Sequence, residues 1–214
     1  GGWPSDSDGA PSRVSVRTGP GTREQVLQLA RASEGTPFSV LYSVFALLLG
    51  RLAGQHDLAI GIPVSGRHVA AAQGVIGNFL NNVPVRSRWQ PQQAFGDYLA
   101  GEIRNLEQVL SNQDYPFEKI LELAPHMRNT DATPVFQVFF NMPSLPRSNA
   151  PQRFDAALEA STELEAKFDL TMYVQDDGED ITLTITNSGG SLGNIKLHSQ
   201  LNGIKSSVIL DAVN

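Results

Sequence analysis

The chain contains no cysteine, so a disulfide framework, thiol catalysis and any cysteine-ligated metal are excluded. Such a composition fits a reducing compartment, and a cytoplasmic location is expected. Its four histidines, at 56, 68, 126 and 198, lie far apart and no pair has metal-ligand spacing, so no metal site is predicted. Long runs of one charge are also missing. Sixteen basic and twenty-two acidic side chains give a net charge of -6, without the basic footprint that nucleic acid or anionic lipid requires. The longest apolar run, "FSVLYSVFALLLG" from 38 to 50, is too short for a membrane span and has capping residues on its flanks. No "GxSxG" elbow occurs, and "GVIGN" lacks the GxGxxG spacing of a dinucleotide site. "SGRH" at 65–68 is adjacency in sequence only, and His68 reads as a turn or surface residue.

What the chain does have is enough apolar content for a core, 41% over 214 residues. Residues 1–12, within "GGWPSDSDGAPSR", read as a flexible leader or linker. The rest, 13–214, is expected to form one folded unit. "RVSVR" alternates as a short strand. Thr22 with Gln25 predicts a capping box for a helix running to Gly35, and Thr36 with Pro37 predicts a second start that Gly54 ends. Val40, Leu41, Val44, Leu47 and Leu48 make that second helix apolar over most of its surface.

Ile60, Ile62 and Val64 alternate in an interior strand, and "GVIGNFLNNVPVRSR" gives another, interrupted by Gly77. Phe95, Leu99, Ile103 and Leu106 fall at helical spacing, and "FEKILELA" is a short helix. "TPVFQVFFNMP" is apolar on both sides, hence a central strand, and "SLPRSNAPQR" is a loop. Leu170, Met172 and Val174, then Ile181, Leu183 and Ile185, alternate across a "QDDGED" turn as a hairpin. Leu197, Leu201, Ile204 and Val208 mark an amphipathic last helix. The order predicts an α/β sandwich: a mixed sheet covered by helices.

Three places carry polar groups where apolar ones would be simpler. Arg67 follows an apolar strand and a Ser-Gly turn, where a guanidinium either needs a carboxylate or stays at the surface. Asn78, Asn81 and Asn82 lie on a strand that otherwise reads as buried. Buried amides must be hydrogen-bonded, so they either tie a bulge together or line a polar tunnel; Asn141 poses the same choice. In "NQDYPFEKIL", Asp114 can cap a helix beginning near Pro116, with Tyr115 and Phe117 packing on the sheet.

Taken together, "DLAIGIPVSGR", "IGNFLNNVPVR", "NQDYPFEKIL" and "RNTDATPVFQVFFNMP" resemble the "DxxxGxPVxGR", "IGxFVNTxxxR", "HQDxPFExLV" and "RxxSRxPLFQVxFxxQ" motifs of nonribosomal peptide synthetase condensation domains, in family order. The resemblance runs from Arg13 to Ala212. It implies a fold related to chloramphenicol acetyltransferase, with two lobes in a V and a tunnel between them. Phosphopantetheine arms of partner carrier proteins enter that tunnel from opposite faces; no cofactor binds the domain directly. The implied reaction is attack of an acceptor aminoacyl amine on a donor thioester. The family's "HHxxxDG" motif belongs to the N-terminal lobe, and no "HH" pair occurs here.

This chain therefore looks like the C-terminal lobe, with no catalytic residue of its own and the N-terminal lobe as partner. Arg67 matches the arginine that pairs with the aspartate of the histidine motif, and Asn141 the strand-end position facing the tunnel. Asn78, Asn81 and Asn82 are the further tunnel-side candidates; Gln113, Asp114, Pro116, Phe117 and Arg128 match structural motif positions. Asn82 stands where many relatives have threonine, Asn112 where many have histidine, and Ala132 replaces the second motif arginine. Two alternatives stay open: a non-catalytic platform that recruits a carrier protein or tailoring enzyme, and half of an epimerisation domain. A lobe exposed without its partner is expected to self-associate.

Overall fold

A computed structural model describes residues 12–65, 80–123, 135–143 and 168–187 of the chain. The first strand, β1, is Ser12–Arg17 and starts one residue ahead of the expected boundary. Helices α1 (Thr22–Ala32) and α2 (Pro37–Ala53) follow. Then come β2 (Asp57–Ser65), β3 (Leu80–Arg88), α3 (Phe95–Ser111), α4 (Phe117–Leu123), β4 (Val138–Asn141), β5 (Leu170–Asp176) and β6 (Ile181–Asn187). The six strands form one sheet in the order β1-β6-β5-β4-β2-β3. β4 pairs parallel with both neighbours and the other pairs are antiparallel, so the sheet is mixed and "VFFN" is central, as its two-sided apolarity predicts.

Helix α2 begins as its sequence dictates. Thr36 Oγ1 accepts from the Ser39 amide at 3.1 Å while the Thr36 amide donates to Ser39 Oγ at 2.9 Å, and Gly54 closes the helix at φ 64°. Helix α1 departs from expectation. Gly21, at φ 86°, occupies the cap position without a side-chain cap, and Thr22 is a buried first-turn residue. The capping box of Thr22 and Gln25 is therefore absent. The reason lies in the turn: a left-handed residue is needed to swing the chain out of β1, and only glycine adopts it without steric cost.

Alternation sorts the sheet into two faces. Ile60, Ile62, Val64, Val83, Val85, Phe140, Leu170, Met172 and Val174 join the core with α2 and α3 residues such as Val40, Tyr42, Phe45, Leu99 and Leu106. On this face Phe140 meets Phe38, Tyr42 and Phe45 at ring-centroid distances of 5.4, 5.6 and 5.6 Å. Burial of α2 is nearly all-round, which is why its apolar run reads as a core helix. Among the described residues no single helix is long and apolar enough to cross a membrane.

At the far end the β5–β6 hairpin turns at Gly178, φ 95°, with Asp177 Oδ1 accepting from the amides of Glu179 and Asp180. Arg17 pairs with Asp177 and Asp180, and Arg23 with Asp176. Exposed pairs of this kind link β1 and α1 to the hairpin but add little stability. The expected last helix, the "SLPRSNAPQR" loop, residues 1–11 and the Gly77 interruption fall outside the described residues.

Candidate functional site

Strand period two places Asn81 and Asn82 on opposite faces of β3, and their roles divide accordingly. Asn81 pairs with Val64 in register, on the helix-covered face. Its Nδ2 donates to the carbonyls of Gln113 and Tyr115, both at 2.9 Å. Its Oδ1 accepts from the Phe117 amide at 3.1 Å. One amide thus ties the α3–α4 loop to the sheet and satisfies the N–H that opens α4. The sequence expects Asp114 to cap this start; in the structure Asn81, 36 residues before Phe117, accepts from the Phe117 amide there. Pro116 sits just before the helix, its carbonyl accepting from Lys119 at 3.0 Å.

Tyr115, expected against the sheet, is 48% exposed. The clamp engages its backbone carbonyl and leaves the ring outside. Phe117 does pack inward, 5.3 Å from the ring of Phe136. Phe136 is fully buried, lies over Gly61, and is followed by Phe139 and Phe168, which stack at 4.6 Å. Gly61 and Phe139 are register partners, so this aromatic cluster floors the face opposite α2 and α3.

Beside that floor runs a polar row. Asn82 pairs with Pro63 across β3–β2. By strand alternation Pro63 and Asn141 lie on the same face of the sheet as Gly61 and Phe139, which pair across β2–β4. Asn141 pairs with Tyr173, Tyr173 with Thr184, and Thr184 with Ser15. The far end of the row is closed: Thr184 is 4% exposed, and its Oγ1 lies 2.9 Å from Ser15 Oγ. Asn82, Asn141 and Tyr173 are half-buried, and none gives a side-chain hydrogen bond to another described residue. Desolvation holds the Tyr173 phenol above its usual range. These groups can donate to and accept from a polar ligand; they include no acid–base pair.

A second polar feature is sealed in the core. Glu102, 4% exposed, accepts from Ser87 Oγ at 2.7 Å, and Ser87 lies 3.0 Å from the Tyr42 hydroxyl. Tyr98 donates to the Ser43 carbonyl at 3.1 Å. Burial raises Glu102 above the ordinary carboxylate range, against hydrogen bonds from Ser87, the Arg88 backbone and Asn105. Burial likewise raises Tyr42 and Tyr98. Without surface access this cluster is structural. The α3 stripe marks it: Glu102 lies three residues after Leu99 and four before Leu106, on the inward face.

A folded-state pKa above the unfolded one gives stability that is complete at low pH and lost as pH rises through the folded pKa. Urea unfolding across the acidic to neutral range should show that decline in the wild type. Glu102→Gln, which keeps the shape without the charge, should flatten it; an equal slope in both would refute the assignment.

Among the described residues no cluster of His, Cys, Asp or Glu could hold a metal ion. His56 lies at the edge of Trp89, 4.4 Å between centroids, at the opposite end of β2 from Asn81.

The family profile described as "Condensation domain" matches residues 4–189. The chain belongs to the condensation-domain family. It is 37% identical over 153 residues to phosphinothricin tripeptide synthetase PhsC of Streptomyces viridochromogenes, covering 69% of this chain and 14% of that protein. It is 30% identical over 190 residues to tyrocidine synthase 3 of Brevibacillus parabrevis, covering 85% of this chain and 3% of that protein. The solved condensation domain of the Monacolin K polyketide synthase MokA has the same fold, with TM-score 0.75 at 17% identity. That match covers 100% of this chain and 50% of the solved one. The architecture is thus the α/β chloramphenicol acetyltransferase-like fold expected from the motifs.

Within this condensation-domain fold the predicted residues separate. Asn82 and Asn141 lie on one face of the sheet, Asn81 is drawn to the other, and Gln113 and Phe117 meet Asn81 through their backbones. Arg67, Asn78 and Arg128 lie outside the described residues. Tyr173 and Glu102 carry no motif. Tyr173 was nevertheless accessible through the hairpin's alternation, which sets it opposite Leu170, Met172 and Val174.

Proposed function

We propose that this chain is the C-terminal lobe of a condensation domain that joins a donor acyl or peptidyl thioester to an acceptor aminoacyl amine in nonribosomal peptide synthesis. One observation carries the reading: a chain matched by the condensation-domain profile over residues 4–189 corresponds to half of a solved condensation domain. In this reading both substrates arrive on phosphopantetheine arms of carrier proteins. The amine attacks the thioester carbonyl, the C–N bond forms, the C–S bond breaks, and the thiol leaves with the proton. This lobe supplies a tunnel wall and carrier-protein contacts; the N-terminal lobe supplies the histidine.

Arg67 is then the link between lobes, its guanidinium pairing with the aspartate of the histidine motif. Without that lobe the same surface would associate with a second copy. A cytoplasmic setting and a peptide product of the antibiotic type complete the proposal, the latter in keeping with the peptide synthetases among its relatives.

The test is reconstitution. Purified chain is mixed with loaded donor and acceptor carrier proteins, with and without the N-terminal lobe, and peptide is measured by mass spectrometry. Product should appear only when both lobes are present. Product from this chain alone would overturn the division of labour. Carrier binding without product from the pair would replace catalysis by recruitment, and inversion of the donor residue without condensation would indicate half of an epimerisation domain.

A further inference from the structure

β1 is terminal in the strand order and, among the described strands, pairs only with β6. Two main-chain bonds fix which of its groups face outward. The Thr18 amide donates to the Ile181 carbonyl at 2.9 Å, and the Asp177 amide to the Asp180 carbonyl at 3.2 Å. Antiparallel pairing alternates with period two, so Thr182, Thr184 and Thr186 turn their main-chain groups to β5, and Ile181, Leu183 and Ile185 turn theirs to β1. On β1 the same rule turns Val14 and Val16 toward β6. The amides and carbonyls of Arg13, Ser15 and Arg17 therefore point away from the sheet.

Such an edge accepts another strand, and charged side chains are the usual guard against it. Here the guard is incomplete. Arg17 is offset by two carboxylates, Asp177 at 3.2 Å and Asp180 at 3.0 Å, which leaves that end of the edge negative. Arg13, roughly 14 Å away along the strand, is exposed and enters no ion pair with another described residue. The edge thus has opposite charge at its two ends, and a two-fold axis matches it to itself. With Ser15 on the axis, Arg13 of one copy faces the Arg17 cluster of the second, and Val14 faces Val16. Both valines are half-buried, and each covers part of the other across the strands. A parallel alignment would instead set Arg13 against Arg13 and carboxylates against carboxylates.

We propose that β1 is a self-association edge: two copies of this chain pair antiparallel through Arg13, Ser15 and Arg17, and their six-stranded sheets join into one. Each facing pair exchanges two main-chain bonds, the Ser15 pair on the axis included. The pairing is independent of the condensation reading.

Hydrogen exchange followed by NMR at low and high protein concentration tests the edge directly. The amides of Arg13, Ser15 and Arg17 should gain protection as concentration rises, while those of Val14 and Val16, bonded to β6, stay protected throughout. Edge amides that ignore concentration overturn the proposal. Sedimentation equilibrium gives a second test. Ser15→Pro removes the outward N–H on the axis and leaves the bonds to β6 in place, since an edge strand tolerates proline. It should be monomeric where wild type is dimeric. Arg13→Glu changes only an exposed side chain and should weaken the dimer roughly tenfold; if circular dichroism shows Ser15→Pro to be unfolded, this variant decides. The chain has no thiol of its own, so Ser15→Cys places a single one on the axis, and a short bismaleimide should link two copies through it. Gln108→Cys, on the exposed side of α3, should stay unlinked. A monomeric wild type, a dimer unchanged by Ser15→Pro or Arg13→Glu, or a Ser15→Cys protein that yields no linked pair refutes the edge.

Discussion

Gly61→Ala should destabilise the protein by about 3 kcal/mol, the upper end of what an overpacked core methyl costs. Unfolding followed by circular dichroism should then show a midpoint lower by roughly 6–12 °C for a chain of this size. The cause is steric and not conformational. Gly61 is paired on both sides, with Pro84 and Phe139, and a Cβ built on it would collide with the ring of Phe136. That ring cannot retreat. It is fully buried and held by Phe117 and Phe168, each at 5.3 Å, and by Phe139 at 6.2 Å. The backbone leading into it is itself tense, with Val135 at φ 77°, a conformation a β-branched residue holds only under strain.

Two controls separate this from a generic glycine effect. Gly101, in α3, has nothing within 4 Å of an added Cβ, so Gly101→Ala should change stability in the opposite direction, by about 0.5–1 kcal/mol. Adding Phe136→Leu to Gly61→Ala should recover part of the loss, a coupling that independent sites would not show. A Gly61→Ala protein as stable as wild type would mean that Phe136 does not lie over this strand.

How much of this was legible beforehand depends on the range of the interaction. Local signals were sufficient for the Thr36 start and Gly54 stop of α2, for the β5–β6 hairpin and for the central place of "VFFN", because each depends on residues within a few positions. The aromatic floor was not legible. "AIGIPV" shows a glycine between isoleucines, and nothing in that stretch reports a phenylalanine 75 residues on. Asn81 and Asn82 illustrate both cases at once. Strand period alone sends them to different faces, which was available from the sequence. Which of them is tied down depends on where the α3–α4 loop lands, a tertiary fact. Glu102 is intermediate: its place in an apolar stripe signals burial, while its partners Ser87 and Tyr42 come from two other elements.

Replacing Asn81 by alanine should release the α3–α4 loop and cost about 2 kcal/mol, because removing one side chain strands three backbone groups. The carbonyls of Gln113 and Tyr115 and the amide of Phe117 all lose their partner. Hydrogen exchange locates the damage: the Phe117 amide should exchange roughly 30-fold faster, the factor a 2 kcal/mol change in local opening gives, while core amides of β2 change far less. Asn81→Asp distinguishes the clamp's two halves. It keeps the oxygen that accepts from Phe117 but replaces the two donors with a negative charge facing two carbonyls. The loop should therefore loosen at Gln113 and Tyr115 while the Phe117 amide stays protected. Asn82→Ala, on the other face, should leave exchange in the loop untouched. If Asn81→Ala preserved the Phe117 amide's protection, the clamp would not be what seats the loop. The "IGNFLNN" and "NQDYPFE" motifs would then be neighbours in space without the mechanical link that one side chain provides.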